Sequence, residues 1–135
     1  MPTVSRYFIR TGLVWLGLGF TVGALLLFHK GLPLHPALWR WLPAHIELAL
    51  LGWTLNLALG VAYWSFPRFL HGAARGPAWP IWLAYGLLNA GVVVGALGPL
   101  LGAPGWLLAA GRAAQLGAAA LAAAALWPRI KPHGR

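Results

Sequence analysis

His45 and Glu47 stand two residues apart in the stretch PAHIELALLGWTLNLALGVAYWSFPR, which runs from Pro43 to Arg68 and is otherwise almost wholly apolar. Both side chains can carry a proton, and an imidazole can also ligate a metal. Glu47 is the only acidic residue in the chain, so two-carboxylate catalysis is impossible within one copy. No H-x-x-H or H-x-x-x-H pair occurs, and no G-x-S-x-G or phosphate loop, which excludes the chemistry those spacings serve. Absent cysteines remove thiolate sites, Cys nucleophiles and disulfides together. Three readings of His45 stay open: an interfacial histidine bonded to a carbonyl, an axial ligand of haem iron, or part of a proton or quinone site. Gly52, one or two turns further on, would leave room for a macrocycle.

The elements that hold these residues must sit in lipid. The 135 residues are 60% hydrophobic and only 8% charged, with 9 Trp and 18 Gly, whereas a soluble domain carries about 25% charged residues. Nucleic acid is not the partner implied by the net charge of +9. The basic residues flank apolar runs, where Lys and Arg meet lipid headgroups, and do not form one polar face.

Four apolar runs predict an all-α integral membrane protein, a four-helix antiparallel bundle in one domain over 1–135. The spans are approximately 10–28, 44–66, 82–101 and 106–127, each near the ~20 residues that cross a hydrocarbon core. Prolines, among them Pro33, Pro36, Pro43, Pro67, Pro77, Pro80, Pro99 and Pro104, fall in or beside the connections. Trp39, Trp41, Trp64, Trp79, Trp82, Trp106 and Trp127 fall near the expected interfaces as an aromatic belt. Arg6 and Arg10 ahead of the first run imitate a signal peptide, but HKGLPLHP follows with no small-residue cleavage pattern, so the run reads as a retained span. Arg6, Arg10, Arg68, Arg75, Arg129, Lys131 and Arg135 fall on one side, against Lys30 and Arg40 on the other. The positive-inside rule then places both termini in the cytoplasm of a cell whose inner (plasma) membrane holds the protein.

Lipid gives helices little reason to associate, so packing must come from small residues and internal polar contacts. Gly12, Gly19 and Gly23 share a face of span 1, Gly91 and Gly95 repeat the spacing on span 3, and span 4 is an Ala ladder with Gly111 and Gly117. Asn56 and Asn89 fall at similar depth on spans 2 and 3, and a hydrogen bond between them is expected. At about 100° per residue His45, Ala49, Gly52, Asn56 and Tyr63 form one small, polar stripe suited to close contact with another helix or a flat ligand, with Glu47 about 200° away beside Thr54. Arg112, the only basic residue well inside a span, either pairs with Glu47 or snorkels outward. His29, His35, His71 and His133 read as solvated residues of connections and tail. Two polar faces on one helix exceed what so small a bundle is expected to satisfy alone, which points to a partner or to self-association.

The segment WRWLPAHIELALLGWTLNLALGVAYWSFPR resembles the second transmembrane helix of subunit I in haem–copper oxidases and the related nitric oxide reductases. The match lies in Arg40, His45, Gly52, Gly60, Tyr63, Trp64 and Pro67. In that family the histidine at the place of His45 is an axial ligand of low-spin haem b, and the helix runs from outside to inside. The resemblance covers about 30 residues (a count of the quoted segment) and otherwise only the span type. The chain lacks the other spans and histidines of that subunit, so it cannot build the binuclear centre. The resemblance thus implies a small relative of subunit I, of the kind that accompanies the nitric oxide reductase of thermophilic bacteria. The expected role is a non-catalytic accessory subunit docked to a larger respiratory membrane subunit. The alternative is a b-type haem protein, an electron carrier or a haem or NO sensor, with His45 as ligand. A transporter or quinone-binding protein ranks last, since only Asn56, Asn89 and the outer-half group could line its path.

Overall fold

The computed structural model describes residues 1–67 and 75–130. The described residues form four antiparallel helical spans: Thr3–Gly31, Pro36–Ser65, Trp79–Leu101 and Gly105–Arg129. Span 1 is α1 (Thr3–Gly31). Span 2 is compound: a 3-10 turn (Pro36–Trp41), α2 (Leu42–Glu47), a π-helical segment (Leu48–Leu55) and α3 (Asn56–Ser65). Span 3 is α4 (Trp79–Leu101), and span 4 is α5 (Gly105–Leu126) with a closing 3-10 turn (Trp127–Arg129). All four are long and apolar enough to cross a bilayer, and the protein is a multi-pass membrane protein of the all-α class.

The helices outrun the apolar patterns that predict them. α1 begins seven residues before the expected start at Arg10 (10 − 3 = 7). At 1.5 Å per residue its 29 residues reach about 43 Å, enough for the headgroup layers as well as the ~30 Å core. Helical hydrogen bonding does not stop where hydrocarbon does, so hydropathy marks the buried part of a span only. Pro80 sits in the first turn of α4, where its missing N–H is harmless. Pro99 lies inside the last turn of α4 and not in the connection. The true stop is Gly102, at φ 68°, whose left-handed backbone returns the Ala103 N–H to the Gly98 carbonyl.

The spans pack in sequence order: α1 extensively against span 2, span 2 less so against α4, and α4 extensively against α5. The core is a thin column of Phe8, Leu48, Ala84, Leu88, Val92, Ala118 and Ala122. Large apolar side chains such as Phe20, Leu27, Leu101 and Leu116 point outward, as lipid allows. Packing this thin depends on small residues at the crossings. A Cβ at Gly52 would lie 2.9 Å from Trp15 Cβ, and one at Gly60 would lie 2.8 Å from Phe8 Cβ, so both positions are points of helix contact.

Candidate functional site

Span 2 meets its neighbours through two polar layers, one on each side of the π-helical segment. The first, at the end opposite Thr3, contains His45 and Glu47. His45 Nδ1 lies 2.8 Å from the carbonyl oxygen of Gly19. A carbonyl can only accept, so Nδ1 carries the proton and donates. The imidazole fits against α1 because Gly23 has no side chain: a Cβ there would lie 2.6 Å from His45 Cε1. The Gly19/Gly23 pair on α1 is thus a notch that admits a histidine.

Glu47 faces the other way, toward α4 and α5, and is 4% exposed. Its Oε2 accepts from Arg112 Nη1 at 2.5 Å, and its Oε1 accepts from Gln115 Nε2. Arg112 Nη1 also donates to Gln115 Oε1 at 2.9 Å, so three side chains close a small ring. Gly95 makes space for the carboxylate, since a Cβ there would stand 2.6 Å from Glu47 Cδ and Oε1. Gly91 does the same for Gln115, whose Cγ would be 2.5 Å away. Of the two readings of Arg112 the structure displays the paired one, yet 57% of its side chain remains exposed.

The second layer lies near mid-bundle. Asn56 is fully buried and Asn89 partly so. They exchange two hydrogen bonds, Asn56 Nδ2 to Asn89 Oδ1 at 3.2 Å and Asn89 Nδ2 to Asn56 Oδ1 at 3.1 Å. Each amide also donates one turn back along its own helix, to Gly52 O at 2.7 Å and Tyr85 O at 2.9 Å. Trp15 Nε1 completes the layer by donating to Asn89 Oδ1 at 2.7 Å. One turn away, Thr11 Oγ1 and Tyr85 OH are joined at 2.7 Å. The expected amide pair is therefore a three-helix junction. Trp15 is the member that sequence reasoning leaves out, because nothing in a run of Leu, Gly and Trp tells which indole turns inward.

Between the layers, Leu48–Leu55 bonds with a π-helical pattern, and Thr54 Oγ1 donates to Ala49 O five residues back at 3.0 Å. This feature has no signature in the sequence, which contains no Pro from residue 44 to residue 66. The His45–Gly52–Asn56 stripe does lie against α1. Gly52 is filled by Trp15, so the side chain of an adjacent helix occupies the room expected there for a macrocycle.

Three expectations need correction. Span 2 does satisfy both of its polar faces within one chain: His45, Glu47 and Asn56 all have partners. His29 is not solvated; it is 5% exposed, its Nδ1 accepts from the Leu34 N–H at 2.9 Å, and its ring meets Trp39 edge-on at 5.7 Å. Arg129 does not face headgroups. It is 1% exposed and donates to the carbonyls of Tyr63, Phe66 and Pro67 at 3.0, 2.6 and 2.9 Å, closing the C-terminus of α3. Its guanidinium also lies 5.1 Å from the centre of the Tyr63 ring. His35 Nδ1 accepts from the Ala37 N–H at 3.2 Å, capping the 3-10 turn. His71, His133, Arg68, Lys131 and Arg135 lie outside the described residues.

Among the described residues no three His, Cys, Asp or Glu side chains gather where they could hold a metal. No family model, characterised protein or solved structure matches the chain.

Proposed function

We propose that the protein is a non-catalytic accessory subunit of a respiratory membrane complex, a nitric oxide reductase or terminal oxidase, held in the inner (plasma) membrane with both termini cytoplasmic. The observation that carries this reading is Arg112: a cation about two turns into span 4, 57% exposed on the flank of the bundle. Charge at that depth is disfavoured by about 3 kcal/mol in bare lipid, and a neighbouring subunit on this flank would shield it. The family pattern on span 2 supports the choice of complex, because Arg40, His45, Gly52, Gly60, Tyr63, Trp64 and Pro67 recur as in the second helix of subunit I. The π-helical segment supports a role beyond membrane filling, since such segments recur at functional sites. Cytoplasmic termini agree with Arg6, Arg10, Arg75 and Arg129 at their end, against Lys30 and Arg40 at the other.

A photo-crosslinking residue at Leu116, exposed one turn beyond Arg112, tests the reading in native membranes. The reading expects an adduct with a large oxidase or reductase subunit. Adducts with lipid alone would reject it.

A second reading, the b-type haem protein, is favoured by one observation. His45 gives its Nδ1 proton to a backbone carbonyl, the arrangement that orients a ligating histidine and leaves Nε2 free to bind iron. Haem would supply one-electron transfer there, and His45 would hold it. The Gly52 side cannot receive the ring, since Trp15 fills it. An absorbance spectrum of protein prepared with haem supplied separates the readings. A Soret band with a sharp reduced α-band, lost in His45→Ala, favours haem; a colourless preparation removes it.

A further inference from the structure

At the end of the bundle that carries Thr3 and Arg129, a groove of about 350 Å³ opens between α4 and α5. Trp79, Pro80, Leu121, Ala124 and Pro128 make its wall almost wholly apolar, and Arg75 stands at its rim. Arg75 Nε and Arg129 Nη1 are buried and have no hydrogen-bond partner among the described residues. Arg75 lines the groove together with Pro128, the neighbour of Arg129, so two cations gather at this end, an arrangement that repels unless an anion lies near them. No side chain of this protein can supply that anion. The single side-chain carboxylate, Glu47, is bonded to Arg112 and Gln115 near the opposite end.

The first turn of α4 adds to the same field. Its N-terminus has no side-chain cap and no acidic residue, and its first residues, Trp79 and Pro80, line the groove, so the positive end of the helix dipole lies at the groove. Trp79 is exposed beside it, placed as an indole is at the headgroup level. A small water-soluble anion would satisfy the charge and leave the apolar trough empty.

We infer that this groove binds an anionic phospholipid, with the phosphate at Arg75 near Arg129 and the α4 N-terminus, and an acyl chain along Trp79, Leu121 and Ala124. Basic pockets between transmembrane helices take anionic headgroups in this way. The lipid completes the bundle at this end by screening two cations that the described residues leave unbalanced.

The test uses the full chain in mild detergent, titrated with dioleoyl phosphatidylglycerol, with dioleoyl phosphatidylcholine or with inorganic phosphate, and read by native mass spectrometry and thermal unfolding. Phosphatidylglycerol should bind at least about tenfold more tightly than phosphatidylcholine, which corresponds to ~1.4 kcal/mol, and should raise the unfolding temperature. Arg75→Gln should weaken phosphatidylglycerol about fivefold, as expected for loss of one basic contact, and bring it close to phosphatidylcholine. Ala124→Trp, which fills the trough and keeps every charge, should weaken both lipids. Among the described residues Arg75 makes no side-chain hydrogen bond, so its variant is expected to fold; if it does not, Ala124→Trp carries the test. Equal binding of the two lipids by the native chain, an unchanged preference in Arg75→Gln, full lipid binding by Ala124→Trp, or stabilisation by inorganic phosphate equal to that by phosphatidylglycerol would each overturn the inference.

Discussion

Glu47 and Arg112, 65 residues apart in sequence, meet at 2.5 Å across the interface of span 2 with span 4. Gln115 bonds to both. The pair joins a buried anion to a cation whose side chain is 57% exposed, so it pins span 4 to span 2 without burying Arg112.

Removing either partner alone should therefore be worse than removing both. Glu47→Gln leaves Arg112 without its counter-charge, and Arg112→Gln leaves a buried carboxylate held only by an amide. A fully buried pair loses about 3–5 kcal/mol when one partner goes. Arg112 is 57% exposed and can snorkel toward the interface once unpaired, whereas Glu47 is 4% exposed and cannot. Glu47→Gln should thus fall below that range, at ~2 kcal/mol, and Arg112→Gln should exceed it. The double variant should recover part of the loss in thermal unfolding in detergent. Strictly additive losses would show that the two side chains do not act together.

The amide layer predicts an order of severity. Asn56→Leu removes its bonds to Asn89 and strips an already buried site of polarity, with an expected cost of ~0.6 and at most about 2 kcal/mol. Asn89→Leu should cost more, because it also leaves Trp15 Nε1 without an acceptor. Measured unfolding free energies in the reverse order would remove Trp15 from the junction.

Glycines divide into those that admit a neighbour and those that face open space. A Cβ at Gly95 collides with the Glu47 carboxylate, whereas one at Gly17 meets nothing within 4 Å. Gly95→Ala should destabilise by about 1–3 kcal/mol, and Gly17→Ala should be neutral or stabilising by up to ~1 kcal/mol. Similar effects at both positions would mean that these glycines serve helix propensity and not close approach.

Arg129 closes α3 with a fork of three N–H···O bonds. Arg129→Ala should therefore cost about 2–3 kcal/mol and fray Tyr63 to Pro67, read as faster amide exchange there. Arg129→Lys should rescue little, since an ammonium cannot reproduce the fork. Full rescue by lysine would mean that only the charge matters at this end.

How much of this was legible depended on the kind of interaction. Span number and class follow from apolar run length, which depends on bulk transfer and little on neighbours. Glu47 with Arg112 and Asn56 with Asn89 were legible because a charge or amide inside a span has few escapes, and matching depths leave few partners. His29, Arg129 and Trp15 were misread or missed for the opposite reason. Near an interface a polar group can be satisfied by water as readily as by protein, so its partner is set by backbone geometry alone. The Leu48–Leu55 π-helical segment is likewise a product of packing: its residues are ordinary helix residues, and the choice of i→i+5 bonding carries no compositional mark. The same limit explains why the stripe of His45, Gly52 and Asn56 left another helix and a flat ligand as alternatives; an indole from α1 takes the space.

We propose that this bundle, with His45, Glu47, Asn56 and Asn89 all bonded inside it, serves as a docking subunit. The direct measurement is affinity purification of the tagged full chain from native membranes in mild detergent, with the bound proteins identified and quantified. The account predicts a haem-containing oxidase or reductase at near-stoichiometric yield, reduced when Arg112 is replaced by Leu together with Glu47→Leu so that the bundle stays uncharged. Recovery of the chain as a lone monomer, with no respiratory subunit at any mild detergent condition, would contradict it.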